Sequence, residues 1–141
     1  MSGLAEVFKL RSEMTEGAEL TKWVLGVCTK YSLPDDVAFA LQLCLDEAVA
    51  NIIEHGKIHG RGATEISVSI AQEDTGIVMK VVDDSDAFDP TQFGPLHSSR
   101  SLEEPAVGGL GIHLMRKFAT ALRYQRIDRR NHLHFVFALP R

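Results

Sequence analysis

The sequence reads as an α+β fold of two layers, an α/β sandwich in which a mixed, mostly antiparallel sheet carries its helices on one face. Three observations predict it. Apolar residues alternate with polar ones in five separate short runs, which is the period of half-buried strands. They recur in steps of three and four in three other stretches, which is the period of helices packed on a core. The order is strand, helix, helix, strand, strand, long loop, helix, strand, strand, so strands meet in hairpins and the helices are left to cover one side.

Residues 4 to 11 alternate loosely through Leu4, Val7, Phe8 and Leu10 and form the first strand. From Thr15 to about Tyr31, Leu20, Trp23, Val24, Val27 and Cys28 fall at helical spacing, with Thr15 as the cap and Glu19 nearby. Ser32-Leu33-Pro34 breaks this helix, and Pro34 suits the opening of the next, with Asp35 and Asp36 in its first turn. That second helix runs to about His55 and Gly56. The linker GKIHGRG leads to the strand TEISVSIAQE, the turn Asp74-Thr75-Gly76 and the strand IVMKVVD, an antiparallel hairpin. From Asp84 to Val107 no period survives, and a loop of that length inside a domain points to a functional lid, about residues 85–107. The third helix, GGLGIHLMRKFATAL, carries Ile112, Met115, Phe118, Ala119 and Leu122. Two last strands, near LRYQRID and HLHFVFAL, are joined by Arg129-Arg130-Asn131.

At 141 residues the chain is expected to be a single domain, 1–141, with a core that needs no staple. Apolar residues at 45% and charged residues at 24% exclude disordered and coiled-coil classes. A net charge of −4 gives no electrostatic footprint for nucleic acid. Cys28 and Cys44 both sit in apolar helical patterns, so buried reduced thiols are expected, and with them a cytoplasmic location. No run approaches the length of a signal peptide or a membrane span.

The polar residues in order carry the chemistry. Glu47 and Asn51, four apart on the second helix, lie one above the other beside the core positions Leu41, Leu45, Ala48 and Ile52. Alone, such a stripe is an ordinary solvated face. Asp83 closes a strand in front of the long loop, where a carboxylate can accept a hydrogen bond from an exocyclic amine. Gly108-Gly109-Leu110-Gly111 opens a helix, where backbone N–H groups and the macrodipole favour phosphate. A Walker A ending is absent, and the EF-hand spacing is absent from the cluster Asp83, Asp84, Asp86 and Asp89. His55 with His59, and His132 with His134, make only pairs, with no third metal ligand placed by sequence.

Taken together, EAVANIIEHG (47–56), VVDDSDAFDP (81–90) and GGLGIHLM (108–115) resemble the N box and the two glycine boxes of the GHKL (Bergerat) ATP-binding superfamily, and within it the RsbW/SpoIIAB type of anti-sigma factor serine/threonine kinase. The resemblance spans about residues 5 to 140. It implies a histidine-kinase-like ATPase domain that uses ATP and Mg²⁺, binds a sigma factor and phosphorylates a STAS-domain anti-anti-sigma protein, with a homodimer expected. It further implies that Glu47 is the general base, that Asn51 coordinates the Mg²⁺ on the ATP phosphates, and that His55 packs near the nucleotide pocket. Asp83 would bind the adenine amine, and Gly108, Gly109 and Gly111 would wrap the phosphates. Three positions depart from the family pattern. Ser85 stands where glycine is usual, predicting a side chain in space left for adenine, Asp86 stands where proline is frequent, and His134 stands where a threonine contact is usual. They motivate an alternative: a partner-binding module with weak or lost ATP binding.

Overall fold

The computed structural model describes residues 4–10, 17–59, 65–92 and 109–140. Alternation in the strand sequences becomes a two-faced sheet. Five strands, β1 (Ala5–Leu10), β2 (Ile66–Glu73), β3 (Gly76–Asp83), β4 (Ala121–Ile127) and β5 (Arg130–Phe137), pair in the order β1-β2-β3-β5-β4. Among the described residues all four pairings are antiparallel, so the sheet they form is not mixed, against the expectation. The register aligns Phe8 with Val68, Val68 with Val81 and Val81 with Leu133, and this row and its neighbours Ile70, Met79 and Phe135 form the buried face.

Three helices cover that face: α1 (Gly17–Lys30), α2 (Asp35–His59) and α3 (Gly109–Phe118). α1 buries Leu20, Val24, Val27 and Cys28, as its spacing predicts, and sets Trp23 against Phe8 with ring centroids 5.4 Å apart. It ends in a Schellman motif, with Ser32 at φ 50° and Leu33 N–H bonded to the Cys28 carbonyl at 3.0 Å. α2 buries Leu41, Leu45, Ala48 and Ile52 together with Cys44 and Val49. Both cysteines are buried free thiols. None of the described helices is long and apolar enough to cross a membrane.

Several boundaries differ from the sequence reading, each for a physical reason. α2 begins at Asp35, with the Pro34 carbonyl accepting from Ala38 N–H at 2.9 Å. It continues past Gly56 to His59, since one glycine inside a helix costs only about 1 kcal/mol. α3 stops at Phe118, and Ala121 and Leu122 belong to β4, because Thr120 N–H is captured by the Val136 carbonyl of β5 at 2.7 Å. The last hairpin turns at Asp128-Arg129, whose φ angles of 50° and 64° fit the tight two-residue turn that matches strand twist. Asn131 is therefore a strand residue of β5, not a turn residue. In the β2–β3 hairpin Gly76 sits at φ +132°, and a Cβ there would lie 2.3 Å from the Phe137 carbonyl oxygen, so the glycine is required. Thr15, the linker residues 60–64 and residues 93–108, including most of the expected lid and Gly108, lie outside the described residues.

Candidate functional site

The ends of β3 and β5 meet the middle of α2 in a cleft of about 310 Å³, lined by Ala48, Asn51, Ile52, Val81, Asp83, Phe88, Pro90, Tyr124, Asn131 and Leu133. The helical step from Ala48 to Asn51 and Ile52 turns an apolar and an amide side chain toward the same space, and the strand alternation Val81, Asp83 does the same from the sheet. The cleft is thus apolar around a carboxylate and two carboxamides.

Asn51 carries the one buried side-chain polar atom without a partner among the described residues, its Nδ2. Buried amide N–H groups are nearly always hydrogen-bonded, so an orphan aimed into a cleft marks a place where a ligand atom or water completes the site. One turn earlier on α2, Glu47 stands next to the opening of α3. A Cβ built on Gly111 would lie 2.8 Å from Glu47 Oε2 and 3.5 Å from Asn51 Oδ1. Glycine at 111 is what allows the first turn of α3 to come this close to the carboxylate and the carboxamide. Cys44, just behind, has its thiol pushed up to about 12, by burial first and by the Glu47 charge second, so it stays protonated.

Asp83 is held by its neighbours. Its Oδ1 accepts the Ser85 N–H at 2.9 Å, the Ser85 hydroxyl and Asn131 Nδ2 at 3.1 Å. All of these bonds fall on Oδ1, and none of them uses Oδ2. Asn131 is the hub behind it. Its Nδ2 also reaches the Asp86 carbonyl at 2.9 Å, and its Oδ1 accepts from Phe88 N–H at 3.2 Å, from Arg126 Nη1 at 3.1 Å and from the Tyr124 hydroxyl. Arg126 also binds the Ser85 carbonyl at 2.9 Å, and burial pushes the Tyr124 phenol up, with Arg126 opposing. The aspartate cluster thus divides into separate tasks: Asp84 Oδ1 accepts Glu65 N–H at 3.1 Å, and Asp89 caps the short turn Pro90–Gln92 through Thr91 N–H at 2.8 Å.

None of the three departures, Ser85, Asp86 and His134, lines the cleft. Ser85 is buried but does not line it; its hydroxyl points to Asp83, and its φ is not positive. His134 pairs with Lys80 and Arg123 on the opposite face of the sheet, and Leu133 takes the cleft-facing position. His55 is not a lining residue; it stacks on Phe88, which is, with centroids 4.0 Å apart.

The model of the histidine kinase-like ATPase domain family matches residues 10–137. The chain belongs to this family. Among its relatives, the serine/threonine-protein kinase BtrW of Bordetella bronchiseptica is 33% identical over 133 residues, covering 94% of this chain and 93% of that protein. The serine-protein kinase RsbW of Bacillus subtilis is 26% identical over 104 residues, covering 71% of this chain and 64% of that protein. The solved structure of the RsbU and RsbW domains of Rv1364c from Mycobacterium tuberculosis superposes with a TM-score of 0.66 at 14% identity, covering 97% of this chain and 33% of that one, which shows a shared fold.

The structure sets Asn51 and Asp83 on the cleft wall and brings Gly111 beside Glu47 and Asn51; Gly109 opens α3, and Gly108 lies outside the described residues. Sequence reasoning missed Asn131, Tyr124, Arg126 and Phe88. A signal for the first was present: Asn131, Leu133, Phe135 and Phe137 share one strand face, and a lone carboxamide in an apolar row needs partners.

Proposed function

We propose that the chain is an ATP-dependent protein serine/threonine kinase, with the cleft as its nucleotide site. What carries the reading is Gly111: a helix N-terminus, suited to phosphate, held within a missing Cβ of Glu47 and Asn51. The residues fit a metal–nucleotide ligand. Asn51 offers a carboxamide oxygen to the cation and an unpartnered N–H to a phosphate oxygen. Asp83, fixed through Oδ1, keeps Oδ2 to accept an adenine amine, while Ala48, Ile52, Val81 and Leu133 give the base an apolar bed. Gly108, Gly109 and Gly111 serve the phosphates, and His55 buttresses the wall through Phe88.

When bound, Mg²⁺ with ATP supplies a transferable phosphoryl group whose charge is partly neutralised. Glu47 takes the proton of the acceptor serine or threonine hydroxyl as its oxygen gains the phosphoryl group and ADP is left. A carboxylate suffices here, because positioning and charge neutralisation contribute most to phosphoryl transfer. The resemblance of the three motifs extends the proposal to the partners: a STAS-domain protein as phosphoacceptor and a sigma factor as the regulated partner, with a homodimer as the working unit. None of the three departures that favoured a module without ATP lines the cleft.

The test is transfer of labelled phosphate from Mg-ATP to the cognate STAS-domain protein, with calorimetry for ATP on the chain alone. Transfer that is lost in Glu47→Ala while ATP still binds supports the reading. Absence of ATP binding, or transfer undiminished in Glu47→Ala, sinks it.

A further inference from the structure

We propose that the face of the sheet which the described helices leave uncovered over β3, β5 and β4, where Lys80, His134 and Arg123 stand in one row, is a docking surface for an acidic segment of a partner protein. The register makes the row: Lys80 pairs with His134, and His134 pairs with Arg123, so the three side chains share a face across three strands. His132 follows two residues before His134 on the same face. Lys80 and Arg123 stand on either side of His134, two cations on one face, and among the described residues neither has an ion pair. Burial, then Lys80, then Arg123 lower the proton affinity of the His134 imidazole, with Glu73 opposing.

The row is not flat surface. It lies in a groove lined, among the described residues, by Lys80, Arg123, His132 and His134 with Gln125, Tyr124, Leu133 and the exposed Ile127, and no described carboxylate lines it. A cationic groove with an apolar rim on a chain of net charge −4 reverses the sign of the molecule locally, which steers acidic groups to this face and away from the rest. Arg123 can pair bidentately with a carboxylate, and Lys80 offers a point charge beside it. A second copy of the chain is a poorer occupant, because a two-fold contact through this face would set basic rows near one another. Nucleic acid is poorer too, being repelled by the overall negative charge. The groove lies on the sheet face opposite the cleft, so occupant and nucleotide bind together, and the surface stands whether or not the chain is a kinase.

The experiment uses ¹⁵N-labelled chain and a synthetic peptide of alternating glutamate and leucine as the probe, with its lysine–leucine counterpart and a single-stranded DNA oligonucleotide as comparisons. The expected result is amide shifts confined to β3, β5 and β4 with the acidic peptide alone, undisturbed by Mg-ATP. Salt should weaken binding, and Lys80→Glu with Arg123→Glu should weaken it about tenfold or more. The neutral pair Lys80→Gln with Arg123→Gln keeps the fold and gives an intermediate loss. No shift, shifts in the nucleotide cleft, tighter binding of DNA, or affinity unchanged by charge reversal overturns the proposal. So does a dimer in sedimentation that the same charge reversal disrupts, which would assign the face to a second copy.

Discussion

Nδ2 of Asn131 donates a 3.1 Å hydrogen bond to Oδ1 of Asp83 across the β3–β5 pair, and the same amide ties down the segment that follows β3 through Asp86 and Phe88. The carboxylate proposed to read adenine is therefore aimed by a second, buried side chain.

Replacing Asn131 by leucine keeps the volume and removes the hub. Phe88 N–H, Arg126 and Asp83 each lose one hydrogen bond at once, while Arg126 and Asp83 keep their bonds to Ser85, and a typical intramolecular hydrogen bond contributes about 0.5–1.5 kcal/mol. We expect a loss of about 3 kcal/mol by urea denaturation, with ATP affinity weakened about tenfold or more as Asp83 leaves its position. An unchanged denaturation midpoint together with unchanged ATP affinity would refute the hub.

The contrast between Asn51 and Asn131 shows what the sequence reveals and what it hides. Asn51 was legible because its partners are local: Glu47 one helical turn away and an apolar face whose spacing fixes the direction of the stripe. The sheet's strands were legible for the same reason, down to the alternation of Ile66, Val68 and Ile70. Asn131 was hidden because its meaning depends on a cross-strand neighbour 48 residues away, and because Asp128-Arg129 is not a usual sequence for a tight hairpin turn. His134 was misread for a related reason. A shift of one residue in strand register exchanges the faces, and nothing local says whether position 133 or 134 looks into the cleft. Ser85 was read as an obstruction because glycine implies empty space, whereas here the hydroxyl has its own acceptor on Asp83.

Ser85→Gly tests that last point. The variant restores the usual family residue but removes a hydrogen bond to a buried carboxylate, worth about 1.5–3 kcal/mol where one partner is charged. Stability should fall by up to that amount, while ATP affinity stays within about threefold, since the side chain does not line the cleft. A large gain in ATP affinity would mean that Ser85 does obstruct the base.

The Cys44 thiol gives a pH prediction. Its folded value of about 12 lies above the ordinary thiol value of 9.0, so the folded state holds this proton more tightly than the unfolded one. The resulting stability is fully present below about pH 9 and is lost as pH rises toward 12. Because the thiolate is the reactive form, alkylation of native Cys44 by iodoacetamide should not accelerate between pH 7 and 9 as an exposed cysteine does. Mass spectrometry of the labelled chain checks this, and rapid labelling of Cys44 without unfolding would contradict it.

Gly111→Ala separates positioning from stability. Alanine is the better helix former by up to about 1 kcal/mol, so the melting temperature should hold or rise. The new Cβ, however, would stand 2.8 Å from Glu47 Oε2, and the side that yields is the carboxylate, the free end of a flexible side chain. Displacing a general base forfeits part of a contribution of about 10²–10⁴ in rate, so kcat for phosphoryl transfer should fall about tenfold or more. The KM for ATP should change less, because Asp83 and the apolar bed are untouched. In Glu47→Gln the base is already gone, so adding Gly111→Ala should lower kcat little further. If the two losses instead multiply, Gly111 acts through the phosphates alone and the proximity to Glu47 has no part in the chemistry.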